Sequence, residues 1–151
     1  MDSDQVKRAA ADWFLVRGYA MRADPAPADL CAEKDAERWF ISALGDQEEP
    51  LAYLHAFEDG MASLLEAARW TDEGPPHLGL ALAFGSTLQR LERSYRRALK
   101  KYSNSIVFTD LNIHLLLVRD DCSVEHLTPE AVNPFLRNLN RYLLENGLHA
   151  A

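Results

Sequence analysis

The run from His77 to Phe84 constrains this chain most. It reads His-Leu-Gly-Leu-Ala-Leu-Ala-Phe, nearly all apolar and without a charge. A half-exposed strand alternates apolar with polar residues, so an unbroken apolar run is the pattern of a strand buried on both faces. Residues 113–118, Ile-His-Leu-Leu-Leu-Val, repeat the pattern. Strands of this kind need helices over them, and the chain supplies helical periodicity between them.

Residues 4–17 read as a helix, because Val6, Ala10, Trp13 and Phe14 recur near helical spacing and Gly18 follows as a C-terminal cap. Residues 19–23 form a short strand, and Asp24-Pro25-Ala26-Pro27 a loop. Residues 28–34 and 37–45 pair as a hairpin around Asp35-Ala36. An acidic loop over residues 46–50 leads to a second helix, residues 51–70, with Leu54, Phe57, Met61, Leu64, Leu65 and Ala68 on one face. A turn-rich loop spans residues 71–76. Residues 86–102 form a third helix with Ser86 as N-cap. Residues 123–127 return along the strand at 113–118 through a turn at Asp120-Asp121. Thr128 and Pro129 start a last helix, about residues 129–146, which Gly147 stops. The expected fold is α/β: a single-domain mixed β-sheet flanked by helices.

The 151 residues suit one domain with a real core. A formal charge of −7 opposes broad adhesion to nucleic acid, which needs basic surface. Met1-Asp2-Ser3-Asp4 has neither a basic nor an apolar leader region, so no signal peptide is expected. No apolar run approaches the roughly 20 residues of a membrane helix. The two cysteines, Cys31 and Cys122, are too few for a disulfide framework. Cys31 reads as a buried small hydrophobe and Cys122 as a turn residue. A cytoplasmic setting is expected.

The hairpin carries the functional signal. With a two-residue turn, Lys34 faces Glu37 and Asp29 lies across from Ser42, with side chains about 5 Å apart at Cβ. Ser42 and Leu44 share one sheet face. An acid on one strand, an acid opposite it and a lysine two residues on would hold Mg²⁺ and activate water for phosphodiester cleavage. Here the second acid is replaced by Ser42 and the lysine by Leu44. Glu33 shares the face of Asp29 but lies roughly 13 Å away. Asp12, Glu58 and Glu66 are the remaining acids that helices could bring in. Lys34 points to the other face. The alternative reading of Asp29 is a capping residue at a strand start.

From Gly18 to Gly45 the sequence resembles the PD-(D/E)XK nuclease superfamily, which includes restriction-endonuclease-like and Holliday-junction-resolvase-like proteins. The family pattern runs helix, a Gly-Tyr lead into a strand, an Asp-Leu pair, then an apolar strand ending Glu-x-Lys-Gly. Gly18-Tyr19, Asp29-Leu30 and Gly45 match, while Ser42 and Leu44 replace the Glu and Lys. The resemblance covers about residues 5–128. It implies a restriction-endonuclease-like fold whose catalytic motif is degenerate at Asp29, Ser42 and Leu44, with no metal or other cofactor.

Residues 86–102 also carry Arg90, Arg93, Arg96, Arg97, Lys100 and Lys101 against one acid, Glu92. Such polarity signals a partner, either phosphate backbone or an acidic protein surface. Leu88, Leu91, Tyr95, Leu99 and Tyr102 give the same helix an apolar seam. The competing reading is a core-packed helix with a solvated basic face. The five histidines, His55, His77, His114, His126 and His149, show no metal-ligand spacing and read as surface or partly buried residues. Gly85-Ser86-Thr87 reads as an ordinary strand-to-helix turn. Phe135, Leu136, Leu139, Tyr142, Leu143 and Leu144 give the last helix a wide apolar surface that either covers the sheet or docks a partner.

The function expected is therefore that of a catalytically inactive, nuclease-like pseudoenzyme: a binding, scaffolding or regulatory module. Its expected partners are another protein or a second copy of itself, with nucleic acid as a further candidate and no membrane. The alternatives are a Mg²⁺-dependent DNA endonuclease with a rebuilt site, and a purely structural oligomer.

Overall fold

Helix α1 (Ser3–Val16) begins where Asp2 can cap it. The Gln5 N–H donates to the Asp2 carboxylate at 2.8 Å, and the Asp2 N–H donates to the Gln5 side chain at 2.8 Å. This reciprocal box satisfies donors that a helix start otherwise leaves free. Past the C-cap Arg17, Gly18 takes φ +88°, the left-handed turn that favours glycine. Val6, Ala9, Ala10 and Phe14 form the buried stripe.

The computed structural model describes residues 1–22, 26–69, 74–85, 94–103 and 107–147. Strands β1 (Ala20–Met21), β2 (Leu30–Lys34), β3 (Glu37–Leu44), β4 (His77–Ala83), β5 (Ile113–Val118) and β6 (Val124–Leu127) lie side by side in chain order. β1, β2 and β3 run antiparallel, β3, β4 and β5 run parallel, and β6 returns antiparallel along β5. Helix α2 (Pro50–Arg69) separates β3 from β4. Helices α3 (Arg96–Ser103) and α4 (Val107–Asp110) come between β4 and β5 in sequence. Helix α5 (Val132–Glu145) follows β6 through a 3₁₀ turn at Pro129–Ala131. The fold is α/β, a mixed six-stranded sheet flanked by helices, as the two apolar strands demand. No helix among the described residues is long and apolar enough to cross a membrane.

Side-chain parity splits the core into two layers. Leu78, Leu80 and Leu82 of β4 join Phe57, Leu64, Tyr95, Leu99 and Leu136 on the face shared by α2, α3 and α5. Ala81 and Ala83 face α1, together with Ile41, Ala43 and Leu116. The α1 layer is rich in alanine, which lets helix and sheet approach closely. Gly45 belongs to that approach: a Cβ there would run into the backbone of Asp2 and Ser3 at the start of α1. The hairpin keeps its expected register, with Lys34 opposite Glu37 and Asp35 at φ 55° in the turn.

Three expectations change in detail. The helix expected over residues 86–102 does not run unbroken, because Ser94 and Tyr95 are not helical and α3 starts at Arg96. Tyr95 is fully buried, donates its hydroxyl to the Gly45 carbonyl and meets the Tyr53 ring edge-on at 4.8 Å. That anchor sets where α3 begins. Ser86, with the first half of the expected helix, lies outside the described residues. In α2 the buried face is Tyr53, Phe57, Gly60, Met61, Leu64 and Ala67, while Leu65 is 38% exposed. The last helix proper starts at Val132, after the 3₁₀ turn, and Thr128 makes no side-chain cap bond. It docks Val132, Leu136 and Leu143 into the core and leaves Tyr142 and Leu144 outside. Sheet cover is therefore the role of its buried stripe.

Candidate functional site

The three motif positions lie where β2 and β3 part. Regular pairing ends at Leu30 opposite Ile41. One residue before that, Asp29 leaves the ladder: its N–H donates to the Ile41 carbonyl at 3.0 Å. The Asp29 carboxylate then accepts the Ala43 N–H at 2.7 Å. The side chain thus substitutes for a missing main-chain acceptor, which is the capping role. Asp29→Ala should cost about 1–2 kcal/mol in urea unfolding, while Asp29→Asn, which keeps a carbonyl acceptor, should cost less than half of that. A gain in stability on Asp29→Ala would instead mark a strained relic of a metal site.

Ser42 is 1% exposed and donates its hydroxyl to the Gly60 carbonyl of α2 at 3.1 Å. Leu44 packs on the same glycine, its Cδ2 3.0 Å from where a Gly60 Cβ would stand. Gly60 is the point at which α2 bears on both residues, and the helix backbone fills the space in front of them. The acids available to complete a site are engaged or remote. Glu58 accepts the Tyr102 hydroxyl and lies 3.8 Å from the Lys101 ammonium. Glu33 pairs with Arg38 at 3.1 Å. Asp12 and Glu66 are exposed on α1 and α2. Lys34 donates to the Arg17 carbonyl at 2.8 Å and so caps the C-terminal end of α1. Among the described residues, no three His, Cys, Asp or Glu side chains are placed to hold a metal ion.

The basic helix divides. Arg90 and Arg93 lie outside the described residues. Arg96 is only 4% exposed, which removes it from the expected basic face. It is the first residue of α3, directly after the Tyr95 anchor, and is turned inward with it. Arg97 and Lys100 are exposed, and Lys101 keeps its side chain 53% exposed. Tyr102 stacks on Phe57 at 5.7 Å and so belongs to the packed side of the helix.

Sequence spacing gave no hint of a third cluster. His77 opens β4, His114 is the second residue of β5, and His126 lies on β6 opposite Leu116. Register and parity bring all three around Trp39. Its ring stacks on His77 at 4.8 Å and meets His114 edge-on at 4.7 Å. The Nδ1 of His114 lies 2.9 Å from the Nε2 of His126, so one ring donates to the other. The Nε2 of His114 is buried without a hydrogen-bond partner among the described residues. Burial, then repulsion from His126 and His77, pushes the His114 imidazole down to about 4. Burial, followed by Arg17 and His77, lowers His126 as well. Beside them the Trp39 indole N–H donates to Glu37 at 2.7 Å and the Tyr19 hydroxyl donates at 2.9 Å. Those donors, the indole first, hold the Glu37 carboxyl below the usual carboxylate range. At neutral pH the two paired histidines are uncharged, and the cluster acts as a polar plug at one end of the sheet. The histidines read as surface or partly buried residues, and His114 goes further, being buried at 9% exposure. His55 is exposed, and His149 lies outside the described residues.

Comparison with known proteins finds no family model that matches the sequence, and no curated protein that matches it.

Proposed function

We propose that this chain is a nuclease-like protein without catalysis, working as a binding or scaffolding module. One observation carries the reading. Helix α2, at Gly60, occupies the space in front of Ser42 and Leu44, where a second metal ligand and a catalytic ammonium would have to stand. Asp29, the remaining acid, is committed to the Ala43 amide. The order of helix, three antiparallel strands, helix and parallel strand supports the likeness to the PD-(D/E)XK superfamily.

The binding surface in this reading is the exposed side of α3, with Arg97, Lys100 and Lys101. A protein partner suits it better than nucleic acid. Three exposed cations on one short helix make few phosphate contacts, and the chain carries −7 overall. The aromatic residue of that helix, Tyr102, is packed inward on Phe57 rather than offered to a base.

The test is incubation with plasmid, linear and branched DNA in Mg²⁺ or Mn²⁺, with calorimetric titration of Mn²⁺ alongside. The expected result is intact DNA and no tightly bound ion. Cleavage that Asp29→Ala abolishes would establish a metal-dependent endonuclease and overturn the reading.

A further inference from the structure

Between the first turn of α2 and the exposed side of α3 lies a cleft of about 280 Å³, lined by Pro50, Leu51, Leu54, Arg97, Ala98 and Lys101. Its floor is apolar and its far wall carries two cations. Leu51 stands at the near lip and is 61% exposed. Two residues before it, Glu49 is exposed as well. The patch therefore holds an acidic-apolar run, Glu48-Glu49-Pro50-Leu51, beside an apolar slot with a basic wall. Their charges are complementary, yet they do not pair within one chain: among the described residues, Arg97, Glu48 and Glu49 form no ion pair.

We infer that this patch is a two-fold interface between two copies of the chain. In a closed dimer the same patch meets itself, so residue i of one copy contacts residue j of the other and the reverse. A surface that carries both a slot and its own filling satisfies that condition. Leu51 of each copy enters the slot of the other, and Glu49 of each faces Arg97 of the other. A partner bearing only negative charge would be repelled by the acids at the lip, whereas a second copy pairs them. The inference rests on the binding-module reading and names the partner.

Charge reversal tests it without disturbing the core, since Arg97, Glu49 and Leu51 are all exposed. In sedimentation equilibrium at low salt, the wild-type mass should rise with concentration towards twice the chain mass. Arg97→Glu and Glu49→Arg should each weaken association at least about tenfold, which corresponds to about 1.4 kcal/mol. Leu51→Asp should do the same. An equimolar mixture of Arg97→Glu with Glu49→Arg should associate more tightly than either variant alone, because the mixed dimer relieves the like-charge contacts that each variant makes with itself. A monomer at every concentration, or a mixture no tighter than the separate variants, overturns the inference. If Arg97→Glu abolishes DNA retention while leaving the mass unchanged, the face binds phosphate and the interface is wrong. A monomer that neither binds Mn²⁺ nor cleaves DNA defeats the interface alone. Asp29-dependent cleavage defeats the non-catalytic reading instead.

Discussion

Ser42→Glu combined with Leu44→Lys, which rebuilds the nuclease motif letter by letter, should unfold the protein rather than awaken it. Ser42 is 1% and Leu44 9% exposed. A carboxylate introduced in place of Ser42 would face the Gly60 carbonyl that now accepts the serine hydroxyl, an acceptor against an acceptor. The longer side chain also has nowhere to go, because α2 already touches Leu44 at Gly60. The introduced carboxylate and ammonium would share one sheet face, yet their attraction must overcome the removal of two ions from water, which costs several kcal/mol for each. Overpacking adds about 1–3 kcal/mol. The combined loss, more than about 5 kcal/mol, takes most of the stability of an ordinary domain. Circular dichroism melts should show no cooperative transition for the double variant. Ser42→Ala should remain folded and lose about 1 kcal/mol. A double variant that melts cooperatively and cuts plasmid in Mn²⁺ would show that α2 does not seal the site.

This result also locates what the sequence can and cannot reveal. The hairpin was legible because its logic is local: Asp35 tolerates a positive φ, the turn has two residues, and Lys34 must then face Glu37. The apolar runs at residues 77–84 and 113–118 demanded a doubly covered sheet for the same reason. That Ser42 and Leu44 lack charge was plain from the residues alone. That they support a helix was not, because the contact depends on a glycine 18 positions away from Ser42. Helical periodicity misplaced Arg96, since the Tyr95 hydroxyl bond to Gly45 resets the chain just before α3. His77, His114 and His126 are neighbours only through strand order. Parity within each strand becomes informative once β4, β5 and β6 are known to be adjacent, and nothing local announces that adjacency.

The histidine cluster should make the fold labile to mild acid. In the unfolded chain His114 titrates near its ordinary value of 6.5, while in the fold burial and the neighbouring His126 and His77 push it down to about 4. Between those values the unfolded state binds more protons, so stability rises with pH and is lost as pH falls. His114 alone should remove about 2 kcal/mol by pH 5 and about 3 kcal/mol by pH 4, where the loss levels off. His126, lowered for the same leading reason, acts in the same direction. Glu37 and Glu130 attract a proton to His114 and moderate the effect without reversing it. His114→Phe isolates the contribution, because an apolar ring fits the slot against Trp39 and cannot be protonated. Urea unfolding at pH 8 should place the variant within about 1 kcal/mol of the wild type, since one neutral hydrogen bond is exchanged for apolar contact. At pH 5 the variant should be the more stable of the two. Parallel stability curves between pH 8 and pH 4 would mean that His114 takes up its proton in the fold as readily as in the unfolded chain, and would overturn the reading of a buried neutral pair.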